Sequence, residues 1–204
     1  MKLFFTPGAC SLAPHIVLRE LDLPFVLEHV DLKTKKTSSG ADFFSINPKG
    51  YVPALQLDDG EILTEGPSIT QFLADKYAPG KLAAASGSVE RARLNAHLTF
   101  IGTELHKGFS PLFNPSITAE ARATVTANQI RKFALIDQVL AKSGAYLTGQ
   151  NFTIADAYFF VVQSWAPMLG VDITSMSHIM AFAIKVATRP TVLAALEAEK
   201  AKFE

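Results

Sequence analysis

The one thiol of the sequence stands where reactivity is favoured. Cys10 follows the turn residues Pro7 and Gly8 and directly precedes a helical pattern over residues 11–21. Free N–H groups and the macrodipole at the start of a helix stabilise an anion, so the position predicts a lowered thiol pKa and an available thiolate. The alternative is that Cys10 is a small buried apolar residue, a common role for an unpaired cysteine.

The thiol has no second cysteine to work with. A thioredoxin-type redox site needs another cysteine three residues later, and position 13 is Ala13. A single cysteine also excludes an internal disulfide and a multi-cysteine zinc or iron–sulfur site. If Cys10 is reactive, it must therefore pair with an external thiol, and glutathione is the abundant one inside cells.

Two further motifs could hold a peptide. Val52-Pro53 directly precedes an apolar run, and Glu65-Gly66 opens a helical pattern. An ordinary trans proline at a sheet edge and a plain helix start are the alternatives, because an X-Pro bond is cis in only about 5–6% of cases. The functional interpretation is that the residue before the proline offers its main chain to a peptide. Glu65 would then take the ammonium of a γ-glutamyl group.

The elements that must position these motifs alternate over the first eighty residues. Residues 3–5 and 25–30 are predicted strands, residues 11–21 and 67–77 predicted helices, and residues 33–40 a loop. Asp59-Gly60 between two short apolar runs predicts a hairpin over residues 52–63. The order β-α-β followed by β-β-α resembles thioredoxin-like domains, in which the proline matching Pro53 is cis.

The rest of the chain is predicted to be helical. Residues 81–87 have the small, polar composition of a linker between residues 1–80 and 88–204. Beyond them, helical patterns cover 89–112, 118–142, 153–166, 176–188 and 190–200. The sequence therefore predicts an α/β domain over residues 1–80 followed by an all-α domain over residues 88–204.

Composition excludes several classes of function. The 204 residues are 49% hydrophobic and 19% charged, which predicts a globular protein with a core. Nineteen basic and nineteen acidic residues give no field that would attract nucleic acid. The apolar run at residues 3–5 is too short for a signal peptide, and no stretch reaches the roughly 20 apolar residues of a membrane span. We expect a cytoplasmic protein with no nucleic-acid or membrane partner.

The sequence resembles the cytosolic glutathione S-transferases, most closely the bacterial beta class. The matching stretches follow one another in the family's order over nearly the whole chain. They are residues 1–4, 7–12, 47–50, 52–55, 63–66, 103–109 and 152–157. The resemblance implies a thioredoxin-like domain that binds glutathione, a helical domain that forms the site of a hydrophobic cosubstrate, a homodimer and no metal.

The resemblance also implies which residues act. Cys10 and His106 are the expected catalytic residues, with His106 donating a hydrogen bond to the glutathione sulfur or to Cys10. Glutathione contacts are expected from Cys10, Lys35, Val52, Pro53, Glu65, Gly66, Thr99, Thr103, Glu104, His106 and Lys107. Of these, Thr103 and Glu104 are expected to act across the dimer. Thr99 stands where close relatives often have asparagine.

The helical spacing around His106 supports this assignment. Leu94, Leu98, Ile101 and Leu105 form one apolar stripe, and Thr99, Thr103, His106 and Ser110 form a polar stripe beside it. The alternative is that the polar stripe is an ordinary solvated face. Phe109, Phe113 and Trp165 are candidate walls of the hydrophobic site, Tyr158 is expected in the core, and Asp156 is expected to start a core helix.

Three functions are open to such a chain. The first is conjugation of glutathione to small electrophiles, a detoxification reaction. The second is glutathione-dependent reduction of disulfides or peroxides through a Cys10–glutathione mixed disulfide. The third is a non-catalytic carrier of apolar ligands. Phe5 offers no tyrosine for activating glutathione, and Ser11 provides a minor, serine-activated alternative.

Overall fold

The computed structural model of the protein describes residues 1–200 of the 204-residue chain. They form two compact units, one of residues 1–83 with the segment from residue 188 onward, the other of residues 84–187. The first boundary lies inside the expected linker, 81–87. The segment after residue 187 belongs to the first unit, although the sequence pattern assigned it to the helical domain, 88–204. Residues 201–204 of that expected domain lie outside the described residues.

A five-stranded sheet forms the centre of the first unit. Its strands are β1 (Lys2–Phe5), β2 (Val26–Asp31), β3 (Lys36–Thr37), β4 (Ala54–Gln56) and β5 (Ile62–Thr64). They lie in the order β3-β2-β1-β4-β5, with β1 parallel to β2 and antiparallel to β4. The predicted hairpin is confirmed, because β4 pairs antiparallel with β5 and Gly60 has φ of 92° in the connecting turn. β3 falls in the segment expected to be a loop.

Two helices follow the predicted positions closely. Helix α1 covers Leu12–Glu20 and helix α2 covers Gly66–Tyr77, with Pro67 in its first turn. Apolar side chains of the sheet and of both helices are fully buried together, and these are Leu3, Phe5, Ile16, Leu18, Leu55, Ile69 and Leu73. This core fixes the two helix starts that carry Cys10 and Glu65.

The second unit is helical. Its helices are α3 (Val89–Phe100), α4 (Lys107–Phe109), α5 (Ala119–Ser143), α6 (Ile154–Met168) and α7 (Ser177–Ala187). Ser88 and Thr118 begin α3 and α5, where each hydroxyl accepts a hydrogen bond from the N–H three residues later. The expected single helix over residues 89–112 is interrupted, because a π-helix covers Ile101–His106 and a 3-10 turn covers Ser110–Phe113.

Helix α6 lies at the centre of the second unit. Its side chains are buried on nearly all sides, as expected for a helix that is apolar all round. Phe159 packs against Phe133 and Phe182, with ring centroids 6.1 and 5.3 Å away. The apolar stripe on α3 and the π-helix is also confirmed, because Leu94, Leu98, Ile101 and Leu105 are all buried.

Asp156 fixes the start of α6. Its carboxylate accepts hydrogen bonds from the Leu147 N–H at 2.8 Å and from the Thr153 N–H and hydroxyl at 2.8 and 2.7 Å. Burial raises the pKa of Asp156 to about 6. The structural role expected for this residue is confirmed, since its carboxylate ties the preceding loop to the first turn of the helix.

Helix α8 (Pro190–Lys200) packs on α1 in the first unit. Arg189, just before it, donates two hydrogen bonds of 2.8 Å to the carboxylate of Glu20. Near its end, the buried Glu199 contacts Nδ1 of His15 at 3.0 Å and accepts a hydrogen bond from the Gly8 N–H at 3.3 Å. These polar contacts, between residues 169 to 191 positions apart, explain why this helix does not belong to the helical unit.

Two general features of the described residues bear on function. Within residues 1–200, no group of three or more His, Cys, Asp or Glu side chains could hold a metal ion. No single helix in that range is long and apolar enough to cross a membrane, and α7 and α8 meet the criterion only as a bent pair, by length and composition.

Candidate active site

Cys10 lies in the tight turn between β1 and α1, two residues before the helix begins. The Cys10 carbonyl accepts a hydrogen bond from the Ala13 N–H at 3.2 Å, so the turn leads directly into α1. The thiol is partly buried and donates to the carbonyl of Val52, with Sγ and the oxygen 3.2 Å apart. The Cys10 sulfur therefore lies against the main chain of Val52, in the segment that precedes β4.

The expected lowering of the Cys10 pKa is wrong. Burial raises the pKa of Cys10 to about 12, and the negative charge of Glu65 adds to the rise. The N–H groups of Cys10 and Ser11 act in the predicted direction and lower the pKa, but they are outweighed. At neutral pH Cys10 is a thiol that donates a hydrogen bond and not a free thiolate.

Ser11 is committed to the turn itself. Its hydroxyl donates to the Thr6 carbonyl and accepts from the Thr6 N–H, both at 3.2 Å, and the residue is fully buried. This pair of bonds closes the loop between β1 and α1. The serine-activated alternative is therefore not supported, because the hydroxyl is already engaged by both main-chain groups of Thr6.

The peptide bond between Val52 and Pro53 is cis, as the resemblance to thioredoxin-like domains predicts. Val52 is buried, and its carbonyl already receives the thiol of Cys10. Gly66, at the start of α2, lies beside the proline, since a Cβ on Gly66 would come within 3.7 Å of Pro53 Cγ. The structure thus brings Cys10, Val52, Pro53 and Gly66 together at one end of the sheet.

Two charged residues expected to bind glutathione lie beside this cluster. Lys35 has φ of 56°, and its ammonium donates to the Gly50 carbonyl at 2.9 Å, which ties it to the loop before Val52. Glu65, with φ of 68°, precedes α2 and forms an exposed ion pair with Lys49, 2.7 Å between Nζ and Oε1. The Glu65 carboxylate, which we expect to bind the ammonium of glutathione, is therefore paired with the Lys49 ammonium in this structure.

His106, in the second unit, is held by two aromatic side chains of α6. Its Nδ1 lies 2.6 Å from the hydroxyl of Tyr158, and its ring meets the ring of Trp165 edge-on, with centroids 4.8 Å apart. A hydrogen bond to one ring nitrogen fixes the orientation of an imidazole and its tautomer. His106 therefore has a defined direction in the helical unit.

The remaining expected contacts of the second unit are more exposed. Thr103 and Thr99 lie on one exposed face, where the Thr103 hydroxyl donates to the Thr99 carbonyl at 3.0 Å. Glu104 pairs with Lys132, with 2.9 Å between Nζ and Oε2, and Lys107 is exposed.

The three aromatic residues expected to line the hydrophobic site do not all have the same surroundings. Phe109 is fully buried and packs on Phe133 at 5.9 Å between ring centroids, so it belongs to the core. Phe113 is 52% exposed and lies edge-on to Trp165 at 6.0 Å. Phe113 and Trp165 therefore remain candidate walls. Tyr158 is 4% exposed, so its expected place in the core is confirmed, but its contact with His106, 52 positions away in the chain, was not predicted.

Family models match both units. The model of the glutathione S-transferase N-terminal domain matches residues 8–76, and that of the C-terminal domain matches residues 100–190. Glutathione S-transferase GstA of Escherichia coli O157:H7 is 48% identical over 202 residues, covering 99% of this chain and 100% of that protein.

Solved structures agree with this match. A sphingomonad glutathione S-transferase complexed with glutathione is 46% identical, with a TM-score of 0.93 over 98% of this chain and 99% of that one. A bacterial beta class enzyme from Sphingomonas chungbukensis is 43% identical, with a TM-score of 0.92 over 98% of both chains. The expected thioredoxin-like domain and helical domain are thereby confirmed. The chain belongs to the glutathione S-transferase family and is a transferase enzyme.

Proposed function

We propose that this protein joins the sulfur of glutathione to small hydrophobic electrophiles. In this reaction the thiol proton is lost, a carbon–sulfur bond forms, and the leaving group departs with its electron pair. The observation that carries the proposal is the position of the Val52 main chain, which lies against the Cys10 thiol and leads into Pro53 beside the start of α2. A segment placed in this way can pair with a peptide laid alongside it as an added strand. The biological role we propose is detoxification by a cytoplasmic homodimer.

Glutathione is held mainly by the first unit in this proposal. Val52 pairs with the cysteinyl part of the peptide through its main chain, as an added strand does. The N–H groups of Gly66 and Ser68 at the start of α2 receive the γ-glutamyl carboxylate, since Pro67 between them has no N–H, and Glu65 receives the ammonium. Lys35, Thr99, Thr103, Glu104 and Lys107 make the outer contacts, with Thr103 and Glu104 acting across the dimer.

Cys10 and His106 act on the thiol of glutathione. When glutathione binds, the Cys10 S–H turns from the Val52 carbonyl to the glutathione sulfur. This hydrogen bond and one from the imidazole of His106 stabilise the glutathione thiolate and lower the pKa of that thiol. Because the pKa of Cys10 is raised to about 12, Cys10 is a better donor than attacking group. This disfavours disulfide or peroxide reduction through a Cys10–glutathione disulfide, which requires the Cys10 thiolate to attack.

The test compares Cys10→Ala with Cys10→Ser in both reactions. We expect conjugation of an activated nitroaryl chloride to fall by less than about tenfold in Cys10→Ala, since one hydrogen-bond donor of several is lost. Cys10→Ser retains a donor and should stay closer to the parent rate. Any reduction of mixed disulfides should vanish in both variants.

Two outcomes would contradict the proposal. Equal loss of conjugation and reduction in Cys10→Ala would show that Cys10 reacts covalently in both. Failure of the parent protein to bind glutathione in calorimetry would exclude both enzymatic functions and leave a carrier of apolar ligands, which can be tested with a fluorescent hydrophobic probe.

A further inference from the structure

The turn that carries His106 is wider than an α-helical turn. The π-helix covers Ile101–His106, and the N–H of Lys107 bonds to the carbonyl of Gly102, five residues earlier. Adding one residue to a turn rotates the side chains that follow by about 100° around the helix axis. The direction of His106 towards Tyr158 and Trp165 therefore depends on this turn remaining wide.

Two side chains of α5 reach the carbonyls at the end of the wide turn. The side-chain nitrogen of Gln129 donates to the carbonyls of Leu105 at 3.2 Å and Glu104 at 3.4 Å. Lys132 donates to the same Glu104 carbonyl at 3.1 Å. Side-chain donors inserted at such carbonyls are a recognised way to hold a helix in a non-α geometry.

Gln129 is fitted closely to this place. It is 1% exposed, and a Cβ on Gly108 would overlap its side-chain nitrogen. Its oxygen has no hydrogen-bond partner within the described part of the chain. A half-satisfied buried amide is unfavourable where an apolar side chain could fill the same volume, so packing alone does not account for the residue. What the amide supplies is the pair of N–H donors.

We propose that Gln129 is a positioning residue for His106. Its amide holds the π-helical turn open from the side of α5, and Gly108 leaves the space through which the amide reaches the carbonyls. The functional part of this inference rests on the proposed role of His106 in stabilising the glutathione thiolate. The geometric part does not, since it concerns only where the imidazole points.

The experiment removes the contact from either side. Gln129→Met keeps the volume and removes both donors, whereas Gly108→Ala leaves Gln129 in the chain and displaces its amide. Gln163→Met is the matched control, because Gln163 is also buried and donates at 3.1 Å to Phe160 in its own helix. An alanine in place of a helical glycine normally stabilises a helix, so a loss in Gly108→Ala would point to the contact.

Two readouts are needed. NMR spectra of the imidazoles, with His106 assigned by its absence in His106→Ala, report the contact between the His106 and Trp165 rings without any ligand. Steady-state kinetics as a function of pH report kcat, KM for glutathione and the pKa of the bound thiol. We expect Gln129→Met and Gly108→Ala to lose the His106–Trp165 contact and to lower kcat about tenfold to a hundredfold. KM should change little, and Gln163→Met should match the parent.

The outcomes separate the two parts of the argument. If folded Gln129→Met keeps the parent His106–Trp165 contact, the positioning role is wrong whatever happens to the rate. A second outcome also overturns the proposal. In it, Gln129→Met loses the His106–Trp165 contact, but it lowers kcat by the same factor when His106 has already been replaced by alanine. Gln129 would then act on the rate by another route. If His106→Ala leaves the parent rate unchanged, the catalytic assignment of His106 fails, and the NMR comparison alone then decides whether Gln129 positions the ring.

Discussion

The two units hold their candidate catalytic side chains in different ways. In the first unit, Cys10 is set against the main chain, through the Val52 carbonyl and the N–H groups of its own turn. In the second unit, His106 is set by side chains, through the Tyr158 hydroxyl and the Trp165 ring. Main-chain groups survive most substitutions, so we expect the setting of Cys10 to tolerate sequence change and the setting of His106 to be sensitive to it.

The largest effect that we expect is slow alkylation of Cys10. A fast reaction would contradict the description of Cys10 as a protonated thiol held by main-chain groups. Burial raises the pKa of Cys10 to about 12 from an ordinary 9.0, which lowers the thiolate fraction at neutral pH roughly a thousandfold. Alkylation by iodoacetamide, followed by mass spectrometry, should be slower than for a free thiol by about that factor. The chain in denaturant is the control, because Cys10 is its only cysteine.

Asp156→Ala tests whether the second unit depends on a buried side chain for its stability. The substitution leaves the buried N–H groups of Leu147 and Thr153 without their acceptor, so the free energy of unfolding should fall by about 3 kcal/mol. Asp172→Ala is the matched control, because Asp172 also accepts from an N–H and a hydroxyl, those of Thr174, but is exposed. Urea titrations that give similar losses for both variants would contradict the prediction.

The effect of Asp156 should depend on pH. Its pKa is 3.8 in an ordinary setting and is raised to about 6 in the folded protein by burial. The folded state therefore binds the proton more tightly, and the stability gained from the protonated form is present below pH 3.8 and lost as the pH rises through about 6. In urea titrations, the difference in the free energy of unfolding between the parent and Asp156→Ala should therefore become smaller as the pH rises from 3.8 to about 6. A difference that widens would mean that the carboxylate is stabilised when charged.

Tyr158→Phe tests whether a side-chain contact orients His106. The variant keeps the ring and removes the hydroxyl that contacts His106, so kcat for conjugation should fall by about tenfold through loss of orientation. Tyr146→Phe is the control, since Tyr146 is a buried tyrosine of the same unit that packs on Phe152 and Phe182. An unchanged kcat in Tyr158→Phe would show that Trp165 alone orients the imidazole.

Lys49→Met should give the smallest effect. Lys49 pairs with Glu65 at the exposed edge of the first unit, and exposed ion pairs contribute only about 0.2–1 kcal/mol. Freeing the carboxylate for the ammonium of glutathione should therefore tighten binding by up to about threefold in calorimetry. Lys33→Met, at another exposed lysine, controls for the lost charge. Weaker binding in Lys49→Met alone would mean that Lys49 contacts the ligand directly.

The sequence predicted the first unit well where turn chemistry fixes the backbone. Asp59-Gly60 identified the β4–β5 hairpin through local backbone preferences, which a sequence displays directly. The cis bond before Pro53 was expected only from the resemblance to thioredoxin-like domains, because local preference favours the trans form. The pKa of Cys10 depends instead on burial by distant residues and on the charge of Glu65, so the helix-start rule gave the wrong direction.

The second unit shows what spacing can and cannot predict. The apolar stripe from Leu94 to Leu105 was correctly assigned, because its burial follows from helical periodicity. The π-helix was missed, since its period differs too little from that of an α-helix to be seen over Ile101–His106. The contact of Tyr158 with His106 and the role of Gln129 were missed because the partners of both residues lie on other helices, and only the folded packing brings them together.

The packing of α8 on α1 has a consequence for how the chain is made. A ribosome releases residues 84–187 before it releases Glu199, the buried partner of His15 and of the Gly8 N–H. The helical unit can therefore complete its core during translation, while the unit that carries Cys10 must wait for α8. A fragment that stops at the linker would lack this helix and leave His15 without its carboxylate, so the first unit is discontinuous in the gene although it is compact in space.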